Sequence, residues 1–135
     1  MKPIFVDTSF WIARLHKQDD LHNRALSIEK KLAGTPLITS EVVLNEVLNE
    51  FSKSGRHFRK LAADLIHTLR RRGEVTIIPQ TSAQFMEALH IYETFIDKNW
   101  SLTDCTSYLI MKESKITEAL SHDHHFKQMG VNVLL

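Results

Sequence analysis

The sequence has very little cysteine, proline or glycine. Its 135 residues include one cysteine, Cys105, with three prolines and four glycines. A single thiol excludes an intramolecular disulfide, which fits a reducing compartment and makes the cytoplasm the expected location. No stretch rich in Pro, Gly and Ser, no internal repeat and no low-complexity tract divides the chain, so we expect one domain over residues 1–135.

The sequence also lacks an excess of charge of either sign and any long apolar run. Lys and Arg total 17 and Asp and Glu total 16, which leaves a formal net charge of +1 at pH 7. Net charge therefore gives no indication of a nucleic-acid partner. No segment reaches the roughly 20 apolar residues of a membrane span, and the first residues contain no apolar stretch of signal-peptide length. We expect no association with a membrane.

Short apolar runs alternate along the chain with stretches of helical periodicity. The runs predict strands at residues 3–6, 36–39, 75–78, 116–120 and 131–134. The periodic stretches predict helices at about 20–32, 40–52, 56–72, 81–97 and 103–114, with a further helix after Asp7 and a turn at 124–129. Because the apolar runs do not alternate with polar residues, they are typical of a parallel sheet covered on both faces. The sequence thus predicts an α/β sandwich.

Four acidic residues lie where such a fold gathers ligands. Asp7 ends the first predicted strand, and Asp123 follows the fourth. Asp104 lies in the first turn of a predicted helix, and Glu46 lies about two turns into the helix after the second strand. Ligands of open α/β sheets bind outside the carboxyl ends of the strands, where loops and helix N-termini converge. We therefore expect these four carboxylates to come together at that edge.

Carboxylates that are brought together require a positive partner. Each negative charge disfavours the ionisation of the next, so a hard divalent cation such as Mg²⁺, which prefers oxygen ligands, is the natural occupant. A water activated by such an ion can attack a phosphodiester, while the ion offsets charge that develops on the phosphate oxygens. The acidic set therefore predicts metal-dependent hydrolysis of a phosphodiester.

Each of these residues also has an ordinary structural interpretation. Asp7 can be a helix cap, and Asp104 can be a first-turn residue favoured by the helix dipole. Glu46 shares its helix with other glutamates, and Asp123 lies in a loop, so both can simply be solvated. The hypothesis of a metal site depends on the combination of the four acids.

The segments around these acids are VDTS at 6–9, NEV at 45–47, LTDC at 102–105 and LSHDHHF at 120–126. In their order and spacing they resemble the PIN-domain ribonucleases, in particular the VapC-like toxins of bacterial toxin–antitoxin pairs. The resemblance spans nearly the whole chain.

The resemblance implies a PIN-like three-layer sandwich around a five-stranded parallel sheet of order 3-2-1-4-5. It implies a Mg²⁺ or Mn²⁺ site formed by the four acids, Asp7, Glu46, Asp104 and Asp123. The hydroxyl of Thr8 or Ser9 would support this site, and Ser121, where many relatives have Thr, is a further supporting candidate. The resemblance also implies a homodimer, endoribonuclease activity as a toxin, and inhibition by a cognate antitoxin whose tail covers the site.

Basic residues and one histidine are candidates for contact with RNA. Arg56, Arg59 and Lys60 lie together at the start of a predicted helix. A near-neutral protein must concentrate positive charge locally to hold a phosphate chain, although a solvated helix face is the ordinary interpretation of such a cluster. His124 is a further candidate, through contact with the phosphate backbone.

Three histidines at 122, 124 and 125 surround Asp123 and suggest a transition-metal site. Adjacent histidines do not easily face one ion, however, and neither cysteine nor an HExxH spacing accompanies them. We expect His125 and Phe126 to pack beneath the last strand instead.

Other functions fit the same residues less well. A phosphatase that uses Asp7 as its nucleophile would have a second Asp two positions later, where this chain has Ser9. A phosphoacceptor receiver domain would need a paired acid near the start and a Lys near the last strands. The main alternative to a nuclease is a catalytically inactive PIN-like module that binds RNA or a partner protein, and the complete acidic set argues against it.

Overall fold

The structure, a computed structural model, describes all of residues 1–135. Its elements are, in order, β1 (Ile4–Val6), α1 (Thr8–Leu15), α2 (His22–Lys31), β2 (Leu37–Ser40), α3 (Glu41–Phe51), α4 (Arg56–Arg71), β3 (Val75–Ile78), α5 (Ser82–Thr94), α6 (Leu102–Glu113), β4 (Glu118–Leu120), α7 (His125–Gln128) and β5 (Asn132–Val133). Every predicted strand and helix is present. None of the helices is both long and apolar enough to span a membrane.

All five strands run parallel in one sheet of order β3-β2-β1-β4-β5. β1 lies at the centre, with Ile4 beside Leu37 of β2 and Phe5 beside Ala119 of β4. The predicted α/β fold and the order 3-2-1-4-5 are therefore confirmed. Because β1 and β4 are neighbours, the residues that follow them in two distant parts of the sequence meet at one edge of the sheet.

The centre of the sheet is buried on both faces. Ile4, Phe5 and Val6 are at most 3% exposed, and consecutive strand residues point to opposite faces, so helices must cover both sides. Phe126 of α7 stacks on Phe5, with the ring centroids 6.2 Å apart. The buried apolar residues form one continuous core. This core fixes the strands whose carboxyl ends carry the acidic residues.

Most elements begin or end one or two residues away from the predicted boundaries, and the structure explains the differences at α5, β4 and α7. α5 ends at Thr94 rather than near residue 97, because Phe95 leaves the helix and packs against Trp100, with the ring centroids 5.0 Å apart. β4 begins two residues later than predicted, because the N–H of Ile116 still donates to the C=O of Met111 at the end of α6. The turn predicted at 124–129 contains the short helix α7.

A chain of buried hydrogen bonds fixes the carboxyl end of β1. The hydroxyl of Thr39 donates to the C=O of Val6 at 2.9 Å and accepts from the indole N–H of Trp11 at 3.3 Å. The N–H of Asp7 donates to the C=O of Leu120, the last residue of β4, at 3.0 Å. The ends of β1, β2 and β4 are therefore tied together directly beside Asp7.

Candidate active site

Asp7 is the most buried charged residue at the carboxyl edge of the sheet. It is 5% exposed, and its Oδ2 accepts hydrogen bonds from Ser121 Oγ at 2.9 Å and from Ser9 Oγ at 3.2 Å. Asp7 occupies the N-cap position of α1, but its side chain makes no capping hydrogen bond. The interpretation of Asp7 as a helix cap is therefore wrong.

Burial raises the pKa of Asp7 from its ordinary value of 3.8 to about 6. The backbone N–H of Thr8 and the hydroxyl of Ser121 act in the opposite direction and lower this pKa, whereas the negative charges of Asp104 and Glu46 raise it further. Both of these carboxylates thus lie close enough to repel the charge of Asp7. Three of the four predicted acids, Asp7, Asp104 and Glu46, are therefore close enough for their charges to interact.

Two serines connect Asp7 to the loop that follows β4. Ser121 Oγ accepts a hydrogen bond from the N–H of Asp123 at 3.0 Å, and Ser9 Oγ accepts one from the N–H of His122 at 2.9 Å. Each hydroxyl therefore donates to Asp7 and accepts from the loop. This pair of serines, both predicted as supporting residues, fixes the position of Asp123 relative to Asp7.

His125 joins Asp123 to Asp104. Its Nδ1 lies 2.9 Å from Oδ2 of Asp104 and 3.3 Å from Oδ1 of Asp123, and its backbone N–H donates to the same oxygen of Asp123 at 3.0 Å. The prediction that His125 packs beneath the last strand is wrong, whereas Phe126 is fully buried as expected. The Asp-x-His spacing could have predicted the backbone bond from His125 to Asp123, because the N–H two positions after an Asp commonly bonds back to its carboxylate, but not the contact of the ring with Asp104.

Asp104 has a structural role in addition to its place in this cluster. It forms a capping box with Ser101: its carboxylate accepts from the Ser101 N–H and its own N–H donates to Ser101 Oγ, both at 3.0 Å. The interpretation of Asp104 as a first-turn residue is thus correct. Because the same Oδ2 also contacts His125, capping directs the carboxylate towards the other acids.

The donor set of this cluster fits a hard divalent cation. No Lys or Arg forms an ion pair with Asp7, Glu46, Asp104 or Asp123. The hydroxyl of Thr8 is buried without a hydrogen-bond partner, and Glu46 is half-buried on α3. Several carboxylates and one free hydroxyl, with no Lys or Arg paired to them, are the oxygen ligands that Mg²⁺ prefers. A receiver domain, which needs a Lys beside its acids, does not fit this arrangement.

The predicted RNA-contact residues are exposed at the start of α4 and beside Asp123. Arg56 is exposed, Arg59 donates to the C=O of Ser52 at 2.8 Å, and Lys60 pairs with Asp64 at 3.3 Å. α4 packs against α3, the helix that carries Glu46. The ring of His124 is exposed, with Nδ1 3.7 Å from Oδ1 of Asp123. Arg72, at the other end of α4, is held by ion pairs with Glu29 and Glu74.

A buried acidic cluster at the carboxyl edge of a parallel sheet of order 3-2-1-4-5 is the arrangement of PIN domains. The PIN domain family model matches residues 4–132, and the chain belongs to this family.

One relative and one structural neighbour illustrate how far the similarity extends. The chain is 29% identical over 132 residues to the 23S rRNA-specific endonuclease VapC20 of Mycobacterium tuberculosis, and the match covers 94% of each chain. The crystal structure of VapC20, described as a toxin that cleaves the sarcin–ricin loop, superimposes with a TM-score of 0.79 over 95% of both chains. FitAcB from Neisseria gonorrhoeae shares the fold, with a TM-score of 0.67 at 17% identity over 98% of this chain and 96% of its own.

The raised pKa of Asp7 predicts that replacing it stabilises the metal-free protein. A carboxyl with a pKa of 3.8 when unfolded and about 6 when folded binds its proton more tightly in the folded state. Stability is therefore lost as the pH rises from 3.8 through about 6, and the loss is complete above that range. In EDTA at neutral pH, Asp7→Asn should exceed the parent in free energy of unfolding by roughly 3 kcal/mol, and the gap should close towards pH 4.

Urea unfolding at several pH values measures this difference. Asp20→Asn, which removes an exposed carboxylate, is the matched control and should change stability by no more than about 0.5 kcal/mol. A parent that is more stable than Asp7→Asn at neutral pH without metal would show that the carboxylate of Asp7 is not under electrostatic strain.

Proposed function

We propose that the chain is a metal-dependent endoribonuclease and the toxin of a toxin–antitoxin pair. The observation that carries this proposal is the convergence of Asp104 and Glu46 on the buried Asp7, where no Lys or Arg offsets the charge. Family membership supports it, because a relative with 29% identity across 94% of the chain is a 23S rRNA-specific endonuclease.

The residues that would hold the metal ion are the four acids Asp7, Glu46, Asp104 and Asp123. We propose Mg²⁺ as the ion, with Mn²⁺ as the alternative, because the carboxylates offer only oxygen. When bound, the ion supplies activation of a water nucleophile and stabilises charge on the phosphate that is attacked. The buried hydroxyl of Thr8, adjacent to Asp7 in sequence, is available to bond a water molecule at this site.

The chain's own residues keep the carboxylates in position. The hydroxyls of Ser9 and Ser121 both donate to Oδ2 of Asp7, which leaves Oδ1 free of them for a ligand. His125 holds Asp104 and Asp123 beside each other through one ring nitrogen. Because the side chains are held by hydrogen bonds before any substrate arrives, little reorganisation is needed during the reaction.

Binding of RNA requires positive charge near the acidic site. We propose that Arg56, Arg59 and Lys60 contact the phosphate backbone, because they are exposed at the start of the helix that packs on α3. His124, with an exposed ring beside Asp123, is the fourth proposed contact. The cytoplasm, where ribosomal RNA is found, is the proposed site of action.

Inhibition by a cognate antitoxin follows from the same geometry. The similarity to VapC20, which is described as a toxin, supports such a partner. A cluster of carboxylates that no Lys or Arg neutralises is complementary to basic side chains. We propose that the tail of the antitoxin covers the acidic site and thereby excludes RNA.

The outer face of α5 is the surface proposed for a homodimer. Phe85, Leu89 and Tyr92 lie on α5 at helical spacing, and Ile96 continues the stripe in the turn after the helix. Phe85, Tyr92 and Ile96 are between 50% and 86% exposed. A groove of about 710 Å³ lies between this stripe and Trp100. A continuous exposed apolar stripe of this kind is typical of a protein interface, and a second copy of the chain would cover both stripes at once.

Cleavage of RNA by the purified chain tests the nuclease directly. We expect cuts in 23S rRNA in the presence of Mg²⁺ and none in EDTA, with the sarcin–ricin loop as the first site to examine by primer extension. Asp7→Asn and Asp104→Asn should lower the rate by more than about 100-fold, since even an outer partner of a metal ligand is worth 10- to 100-fold. Asn at 104 retains an acceptor for the capping box.

Asp20→Asn is the control for the loss of one carboxylate and should cleave at the parental rate. Circular dichroism and urea unfolding establish that each variant is folded. A folded, metal-loaded, antitoxin-free protein that cuts no RNA would contradict the nuclease and favour the inactive binding module, which would then bind RNA or antitoxin without cleavage.

The dimer predicts that one charge on the α5 stripe produces a monomer. Tyr92→Glu places a carboxylate in the apolar stripe, and sedimentation velocity should show a shift from dimer to monomer because that charge would lose its water in the interface. His90→Glu adds the same charge to an exposed position outside the stripe and should leave the dimer intact. A monomeric parent, or a dimer that survives Tyr92→Glu, would contradict this interface.

A further inference from the structure

Two histidines, His124 and His125, add nitrogen donors to one side of the acidic cluster. Nδ1 of His125 lies 2.9 Å from Oδ2 of Asp104 and 3.3 Å from Oδ1 of Asp123. Nδ1 of His124 lies 3.7 Å from that same oxygen of Asp123. One potential ligand atom from each of Asp123, His124 and His125 lies within 4.8 Å of the others. Three donor atoms thus surround one small volume, and the Asp104 carboxylate lies beside it in contact with His125.

The spacing of these atoms is close to that of ligands around a tetrahedral ion. Ligands bound to Zn²⁺ at 2.0–2.1 Å in a tetrahedron are separated from one another by about 3.3 Å. The distances from Nδ1 of His125 and Nδ1 of His124 to Oδ1 of Asp123, 3.3 and 3.7 Å, are close to this value. Small adjustments of the exposed His124 ring are sufficient to bring its nitrogen into the same coordination sphere.

The local backbone explains how adjacent histidines can face one position. The two residues lie at the start of the short helix α7, where the N–H of His125 bonds back to Asp123. Their rings are 4.4 Å apart and inclined by 54°, and the Nδ1 atoms of both approach the Asp123 carboxylate. This geometry therefore allows the two neighbouring histidines to face one ion, although the sequence led us to expect that they would not do so easily.

We propose that Asp123, His124 and His125 form a site for a transition-metal cation of the Zn²⁺ type, with water as the fourth ligand. Imidazole nitrogen is a good ligand for Zn²⁺, Co²⁺, Ni²⁺ and Cu²⁺, whereas Mg²⁺ selects oxygen. When the ion is bound, Nδ1 of His125 contacts it instead of Asp104, and the proton of the ring is on Nε2. The site shares Asp123 with the oxygen-bound ion, so the two ions exclude each other; this last step rests on the proposed function.

Titration of the untagged, metal-free full chain with Zn²⁺ in a calorimeter tests the site without any RNA. We expect one Zn²⁺ per chain in the parent and a dissociation constant raised about tenfold or more in His124→Ala, which removes one ligand. His122→Ala removes a neighbouring exposed histidine outside the cluster and should change the constant by less than about twofold. Because the ring of His124 is exposed, its loss should not unfold the protein.

Co²⁺ in place of Zn²⁺ reports the geometry. We expect the intense visible bands of tetrahedral Co²⁺ in the parent and their loss in His124→Ala. The proposal is overturned by a parent that binds no Zn²⁺, by affinity that is unchanged in His124→Ala, by an equal loss in His122→Ala, or by the weak bands of octahedral Co²⁺.

Competition between the two ions separates this inference from the nuclease itself. If both are correct, saturating Mg²⁺ raises the apparent dissociation constant of Zn²⁺, and one equivalent of Zn²⁺ inhibits cleavage of RNA. Binding of Zn²⁺ with the expected response to His124→Ala, in a protein that cleaves nothing, would support the zinc site and contradict the nuclease. Mg²⁺-dependent cleavage in a protein that binds no Zn²⁺ would support the nuclease and contradict the zinc site.

Discussion

The buried carboxylate of Asp7 is the group on which the rest of the site depends. A rise in its pKa from 3.8 to about 6 corresponds to roughly 3 kcal/mol against the charged form, a large part of the 5–15 kcal/mol that stabilises a domain. This net penalty arises mainly from burial; it already includes the backbone N–H of Thr8 and the hydroxyl of Ser121, which favour the charge, and Asp104 and Glu46, which oppose it. The charged carboxylate of Asp7 lowers the stability of the fold because it is buried. A cation bound to this carboxylate offsets that loss.

The fold could be predicted because most of its constraints are local. The apolar run before Asp7 suits only a strand buried on both faces, and Ser40 caps α3 by accepting a hydrogen bond from the N–H of Val43. The order of the strands could not be predicted from local patterns, because no local pattern specifies that β1 lies beside β4. That feature came from the resemblance to a family. The end of α5 could not be predicted because the packing of Phe95 on Trp100 decides it.

The acidic residues could be found from their positions at strand and helix ends, but the contacts that arrange them could not. Ser9 and Ser121 are 112 positions apart in sequence, yet their hydroxyls lie 3.3 Å from each other and donate to one oxygen of Asp7. Asp104 is both a capping residue and a member of the cluster, so the two interpretations of its sequence position did not exclude each other. His125 was missed because its contact with Asp104 depends on how α7 packs beside α6.

The most direct test of a cation site at Asp7 is a crystal structure of the chain grown with Mn²⁺, with anomalous diffraction measured on both sides of the manganese absorption edge. We predict an anomalous peak bonded to the carboxylate oxygens of Asp7 and Asp104, with Ser9 and Ser121 still donating to Asp7. A map without a peak beside Asp7, from crystals grown in saturating Mn²⁺, would contradict the conclusion that this buried carboxylate is part of a metal site.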